Sequence, residues 1–98
     1  MIRKQALKDS DQVKVTFVLP GDHEHGHSSV VGTFNDWDPM ANPLKKRSNG
    51  TVSASVTLPA GQRHLFRYLC DGDNWCNDEA ADGYEWSEYG SENCVLLT

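Results

Sequence analysis

No apolar run in this 98-residue chain approaches the length of a membrane span, and its opening, MIRKQALKDSDQ, has no apolar core of the kind a signal peptide carries. Both absences lead us to expect a cytoplasmic protein with no membrane partner. Basic residues are missing after Arg67. All nine Lys and Arg lie at or before it, whereas Asp71 through Glu92 holds eight acids and no base, within a formal net charge of -5. That field has the wrong sign for nucleic acid, whose binding is dominated by Lys and Arg at phosphates. Cysteine is scarce: Cys70, Cys76 and Cys94 are an odd number with no CxxC pair, which argues against a disulfide framework and a zinc ribbon. Reduced thiols are expected, with Cys70 and Cys94 packing as small hydrophobes. Internal repeats and low-complexity segments are also lacking, and the length suits one domain.

What is present is alternation. Residues 1–12 are polar without a period and are expected to form a flexible arm, leaving residues 13–98 as the folded domain. From Val13, VKVTFVL sets Val13, Val15, Phe17 and Leu19 against Lys14 and Thr16, the period of a half-buried strand that Pro20-Gly21 ends. SSVVGTF is a second, shorter run. VSASVTL places Val52, Ala54, Val56 and Leu58 on one face and Ser53, Ser55 and Thr57 on the other, with a turn at Pro59-Ala60-Gly61. RHLFRYL directs Phe66 and Tyr68 one way and Leu65, Arg67 and Leu69 the other. Asp71-Gly72 is a turn signal, and NCVLLT closes the chain. Short strands with Pro, Gly, Asn and Asp between them, and no helical period, predict an all-β antiparallel sandwich.

The sequence VVGTFNDWDP, followed by LPAG, HLFRYLCDGDNWCND and YGSENCVLL, resembles carbohydrate-binding module family 48, the glycogen- and starch-binding modules of branching enzymes, isoamylases and the β subunit of AMP-activated protein kinase. Four motifs in order, spread over residues Val13 to Thr98, carry the resemblance. It implies an immunoglobulin-like, early-set β-sandwich with a shallow site for α-1,4-linked glucan. Trp37 of FNDW and Trp75 of DGDNW match the stacking tryptophans. Arg67 stands where the family usually has Lys, and Tyr89, Ser91 and Asn93 match the late loop, Asn93 being the residue implied to bond glucose hydroxyls. Two departures stand out: DGDNW is one residue longer than the common DG-x-W, and Tyr89 replaces an aliphatic residue of the kinase-associated members.

The residue types suit that chemistry by themselves. A pyranose offers patches of C–H groups flanked by hydroxyls, so its binder needs a flat apolar surface edged by donors and acceptors. Read alone, three tryptophans in so short a chain fit a core better than a binding face. Turn residues around Trp37 and Trp75 put both on loops. Trp86 is open between a hydrophobic cap and an extra sugar contact. Phe34 is expected to anchor its loop in the core and Asn35 to bond turn backbone. His23, His25 and His27 alternate as metal ligands could, but Gly21 and Gly26 flank them, and a solvated loop with no metal is expected. No Ser-His-Asp, Cys-His or phosphate-loop arrangement appears, and so short a chain has little room for a deep pocket; neither catalysis nor a cofactor is expected. The expected partner is α-glucan. The alternative is a module of the same fold without sugar binding that docks a glycogen-metabolism enzyme or a kinase subunit through its aromatics.

Overall fold

The computed structural model describes residues 1–8, 10–20, 28–70, 74–87 and 90–98, Asn74 by its backbone alone. Among them the strands are β1 (Ile2–Ala6), β2 (Gln12–Pro20), β3 (Ser28–Gly32), β4 (Lys45–Lys46), β5 (Thr51–Pro59), β6 (Arg63–Cys70), β7 (Asn74–Cys76), β8 (Gly83–Trp86) and β9 (Glu92–Leu97). They form two antiparallel sheets, one in the order β1-β2-β5-β4 and the other β3-β6-β9-β8, with β7 added to β6. The described residues contain no helix, and hence none long and apolar enough to cross a membrane. The chain is all-β, as its alternation predicts.

The two sheets meet through aromatic rings. Phe17 of β2 is fully buried, with ring centroids 5.1 Å from Phe66 and 6.2 Å from Tyr68, both on β6 of the facing sheet. Val13, Val15, Val30, Leu44, Ala54, Leu58, Cys70, Cys94 and Leu96 are the other buried members of this cluster. Strictly alternating residues of β2 and β6 are buried, so the sequence period and the packing agree. Cys70 and Cys94 are free thiols buried in the core, as expected.

The expected arm over residues 1–12 is corrected by β1. Its residues pair with β2 from Ile2 opposite Phe17 to Ala6 opposite Val13, and the Met1 ammonium donates to the Val18 carbonyl at 2.8 Å. β1 is an edge strand, so only Ile2 packs against the core, and IRKQA shows no apolar period. Backbone pairing along an exposed edge makes this strand, and lysine on such an edge is ordinary. Lys4 also ties the sheets together, its Nζ lying 2.6 Å from Asp82 Oδ2, an oxygen that accepts from the Leu97 amide at 2.7 Å as well.

Two positions in β3 and β6 control the loop that follows β3. Gly32 lies so close to β6 that a Cβ there would collide with the Leu65 carbonyl oxygen and stand 2.9 Å from Phe66 Cβ. His64, opposite Leu96, has Nδ1 at 3.5 Å from Thr33 Oγ1, while its Nε2 is buried without a hydrogen-bond partner among the described residues. Burial holds its pKa below the ordinary 6.5.

Each position yields a test. Gly32→Ala is expected to cost about 3 kcal/mol or more in urea unfolding, because the obstacle is backbone, whereas Gly83→Ala, whose Cβ would meet Val95 only at 3.8 Å, keeps the midpoint. For His64, the unfolded chain takes up a proton first as pH falls through 6.5, so stability present above that pH is lost as it drops toward the lower folded value. Unfolding curves at pH 7.5 and 5.5 should show a smaller loss in His64→Gln than in the parent; equal losses would refute this assignment.

Candidate functional site

Burial of Phe66 and Tyr68 forces Arg67, between them, onto the outer face of the five-stranded sheet. There β6 changes partners along one edge. Its first half pairs with β9, ending at Phe66 opposite Cys94, and its second half pairs with β7, from Tyr68 opposite Cys76 to Cys70 opposite Asn74. Arg67 stands at the changeover.

The β6–β7 register explains its neighbours. Leu69 is opposite Trp75, so the same register carries Asn77 opposite Arg67 and makes Trp75 its diagonal neighbour on the same face. Arg67 Nε donates to Asn77 Oδ1 at 3.1 Å, and its Cζ lies 5.2 Å from the centroid of the Trp75 ring. That distance is a cation–π contact. Arg67 Nη1 donates to Ser91 Oγ at 3.2 Å. Ser91 belongs to the β8–β9 turn, which is closed by Ser87 N to Ser91 O at 2.7 Å. Asn77 Nδ2 reaches the Glu92 carbonyl at 3.1 Å, filling the space that β9 leaves as it diverges from β6.

This group rests on a buried acid. Asp78, next to Asn77, is only 4% exposed and accepts from Tyr68 Oη at 2.6 Å and from the Ala80 amide at 2.8 Å. The Met1 ammonium lies 3.6 Å from Asp78 Oδ2. Burial, then the hydrogen bond to Asp78, pushes the Tyr68 hydroxyl pKa well above its usual value. The segment carrying Asn77 is thereby fixed to the core.

The group has a definite electrostatic character. Arg67 has no carboxylate within ion-pair distance among the described residues, and its fork is met by neutral oxygens and an indole face. A guanidinium has five N–H donors, so the bonds to Asn77 and Ser91 leave others for a ligand. Trp75 is 47% exposed. Asn93, half-buried, follows Ser91 and Glu92 into β9 and has the outward parity of Arg67.

Of the residues singled out in the sequence, the structure thus joins Arg67, Trp75 and Ser91, with Asn93 adjacent. Tyr89 and the histidines His23, His25 and His27 lie outside the described residues. Trp37 stands apart: among the described residues no hydrogen bond or ring contact links it to Arg67 or Trp75. Asn35 shapes its turn, donating from Nδ2 to Val30 O at 3.0 Å and to Asn42 Oδ1 at 2.8 Å while accepting from Gly32 N at 2.9 Å. Asp36 and Trp37 have φ of 55° and 57°, and Asp38 N bonds Asn35 O at 3.1 Å, the pattern of a type I′ turn. Phe34 anchors the turn by stacking on Phe17 at 6.0 Å. Trp37 is therefore half-buried and held in a left-handed conformation, where a bulky residue is rare.

Sequence reading missed Asn77. Its only signal was its place two residues after Trp75, informative once the β6–β7 register is known. Trp86 is 69% and Tyr84 47% exposed on β8, the edge strand of this sheet, so Trp86 does not cap the core. Among the described residues no cluster of His, Cys, Asp and Glu suits a metal ion. No family model matches the chain, and no curated protein does.

The turn geometry makes an unusual prediction. Trp37→Gly should be more stable than Trp37→Ala by about 1 kcal/mol, reversing the usual order, because glycine alone relieves the left-handed backbone. Calorimetric midpoints of the two variants decide it; an alanine variant at least as stable as the glycine one would refute the strained turn.

Proposed function

We propose that this chain is a non-catalytic α-glucan-binding module, an immunoglobulin-like β-sandwich of the early-set type resembling carbohydrate-binding module family 48. One observation carries the reading. A half-exposed indole, Trp75, lies beside a guanidinium held by Asn77 and Ser91 on an open sheet face. The cation covers one side of the ring and fixes its plane, which leaves indole surface for the C–H patch of a glucose unit. Hydroxyls at the edge of that unit would bond the remaining Arg67 donors, Ser91 and Asn93. An Arg with no carboxylate partner among the described residues suits a neutral ligand, since none of them takes up its charge in an ion pair. The turn holding Trp37 supplies a second platform, and strain of its kind persists where the surroundings enforce it for function. The free thiols of Cys70 and Cys94 fit a reducing compartment, so the reading places the protein in the cytoplasm.

The exposed Trp86 and Tyr84 on an edge strand favour a second reading, in which the module docks a glycogen-metabolism enzyme or a kinase subunit. The two are separable. Stacked sugar units contribute about 1 to 3 kcal/mol each, by analogy with stacked bases, so a dissociation constant on the order of 0.1 to 1 mM is expected against opposing rigid-body entropy.

Maltoheptaose or β-cyclodextrin should shift tryptophan emission saturably and almost independently of salt, because neutral hydroxyls release no counterions. Trp75→Ala should abolish retention on glycogen with little change in thermal midpoint, while Trp86→Ala leaves retention intact. Absence of both an emission change and binding heat at saturating glucan would discard the glucan reading in favour of the docking module.

A further inference from the structure

The opposite sheet has a groove that the glucan reading does not use. It measures about 500 Å³ and runs between the Met40–Pro43 segment and the β4–β5 hairpin, with Asn42, Lys45, Arg47, Ser53 and Ser55 among its lining residues. Its origin is a short strand. β4 pairs only Lys45 with Ser53 and Lys46 with Val52, so among the described residues β5 beyond Ser53 has no partner on that edge, and the preceding chain stands off from it.

The sign of the groove opposes that of the protein. The chain carries fourteen acids against nine Lys and Arg, yet among the described residues the groove is lined by two cations and no acid. Among the described residues, no carboxylate lies within ion-pair distance of Lys45, Lys46 or Arg47. Strand alternation puts Lys45 and Arg47 on one side and Lys46 on the other, and Lys46 is not in the lining.

One cation is already fixed in place. Arg47 Nε donates to Ser53 Oγ at 2.7 Å and Nη2 to Ser53 O at 3.3 Å, and Ser53 is only 7% exposed. The hairpin beneath is closed by Arg47 N to Thr51 O at 2.8 Å. These bonds use one edge of the guanidinium and leave Nη1 without a bond among the described residues, while Lys45 lines the same groove. Asn42 accepts at Oδ1 from Asn35, which leaves its Nδ2 donors for the groove.

A rigid fork, an exposed ammonium, an amide and a hydroxyl, with no carboxylate among the described lining residues, form a donor set for a compact oxyanion. We propose that this groove binds a phosphate group, as free phosphate or as the phosphate ester of a small sugar. Lys45 supplies the point charge, Arg47 the directional donors, and the site works independently of the Trp75 face on the other sheet.

Amide chemical shifts of labelled protein, titrated with inorganic phosphate, glucose 6-phosphate and potassium chloride at matched ionic strength, test this. Saturable shifts are expected at Lys45, Arg47, Ala54 and Ser55 with either phosphate probe. Tighter binding of glucose 6-phosphate identifies the ester, and equal or weaker binding identifies free phosphate. Lys45→Gln should weaken the interaction about tenfold, the loss of one charge-assisted hydrogen bond, and Lys46→Gln less than twofold. Both lysines are exposed, so neither change threatens the fold. Equal shifts with chloride, or equal losses in the two lysine variants, would overturn the site and leave only diffuse attraction to a basic hairpin.

Discussion

Burial of Phe17 against Phe66 and Tyr68 fixes which way β6 faces, and the outer surface of the molecule follows from it. Side chains alternate along a strand, so two aromatics in the core send Arg67 outward. A slip of one residue would bury the guanidinium and expose both rings, an exchange costing far more than any surface contact could return. The position of Arg67 is thus set by the apolar residues around it.

The core acts a second time through Asp78. A carboxylate only 4% exposed must be hydrogen-bonded, and the Tyr68 hydroxyl meets that requirement from the same strand that carries Arg67. Tyr84 Oη adds a bond to the Asp78 carbonyl at 2.6 Å, and the Asp78 amide contacts Cys94 Sγ at 3.3 Å. Asp78 thereby joins β6, β8 and β9 at one point. Asn77, one residue earlier, inherits that rigidity and passes it to Arg67. A polar centre in the core and a polar group on the surface are one connected network, which argues against treating the Trp75 face as a chance arrangement of mobile side chains.

How legible this was in the sequence varied with the range of the physics involved. β2, β5 and β6 were readable because burial of one face imposes period two, as Val13, Val15 and Phe17 illustrate. β1 was invisible, since an edge strand held by backbone pairing needs no apolar period. Arg67 and Trp75 were singled out by matched motifs, and their contact depends on a register that no local pattern specifies. Asn77 was missed for the same reason. The left-handed pair Asp36-Trp37 was hidden as well: type I′ turns favour glycine or asparagine at these positions, and here the Asn35 side chain with its three bonds holds the turn instead.

Charge is divided between the sheets in a way that net charge conceals. On the five-stranded sheet Arg63 pairs with Glu85 at 2.6 Å, and Lys4 crosses from β1 to Asp82, so two cations are spent neutralising the acidic segment. Arg67 escapes this because its strand neighbours on the β7 side are an amide and an indole. On the other sheet Lys45 and Arg47 escape it because β4 follows the acid-free stretch from Met40 to Leu44. Among the described residues, cations without a carboxylate partner therefore occur on both faces for different reasons. Near an indole and amides the charge orients an uncharged ring, whereas in a groove of donors it attracts an anion. The same residue type is thus directed to two chemistries by what stands beside it.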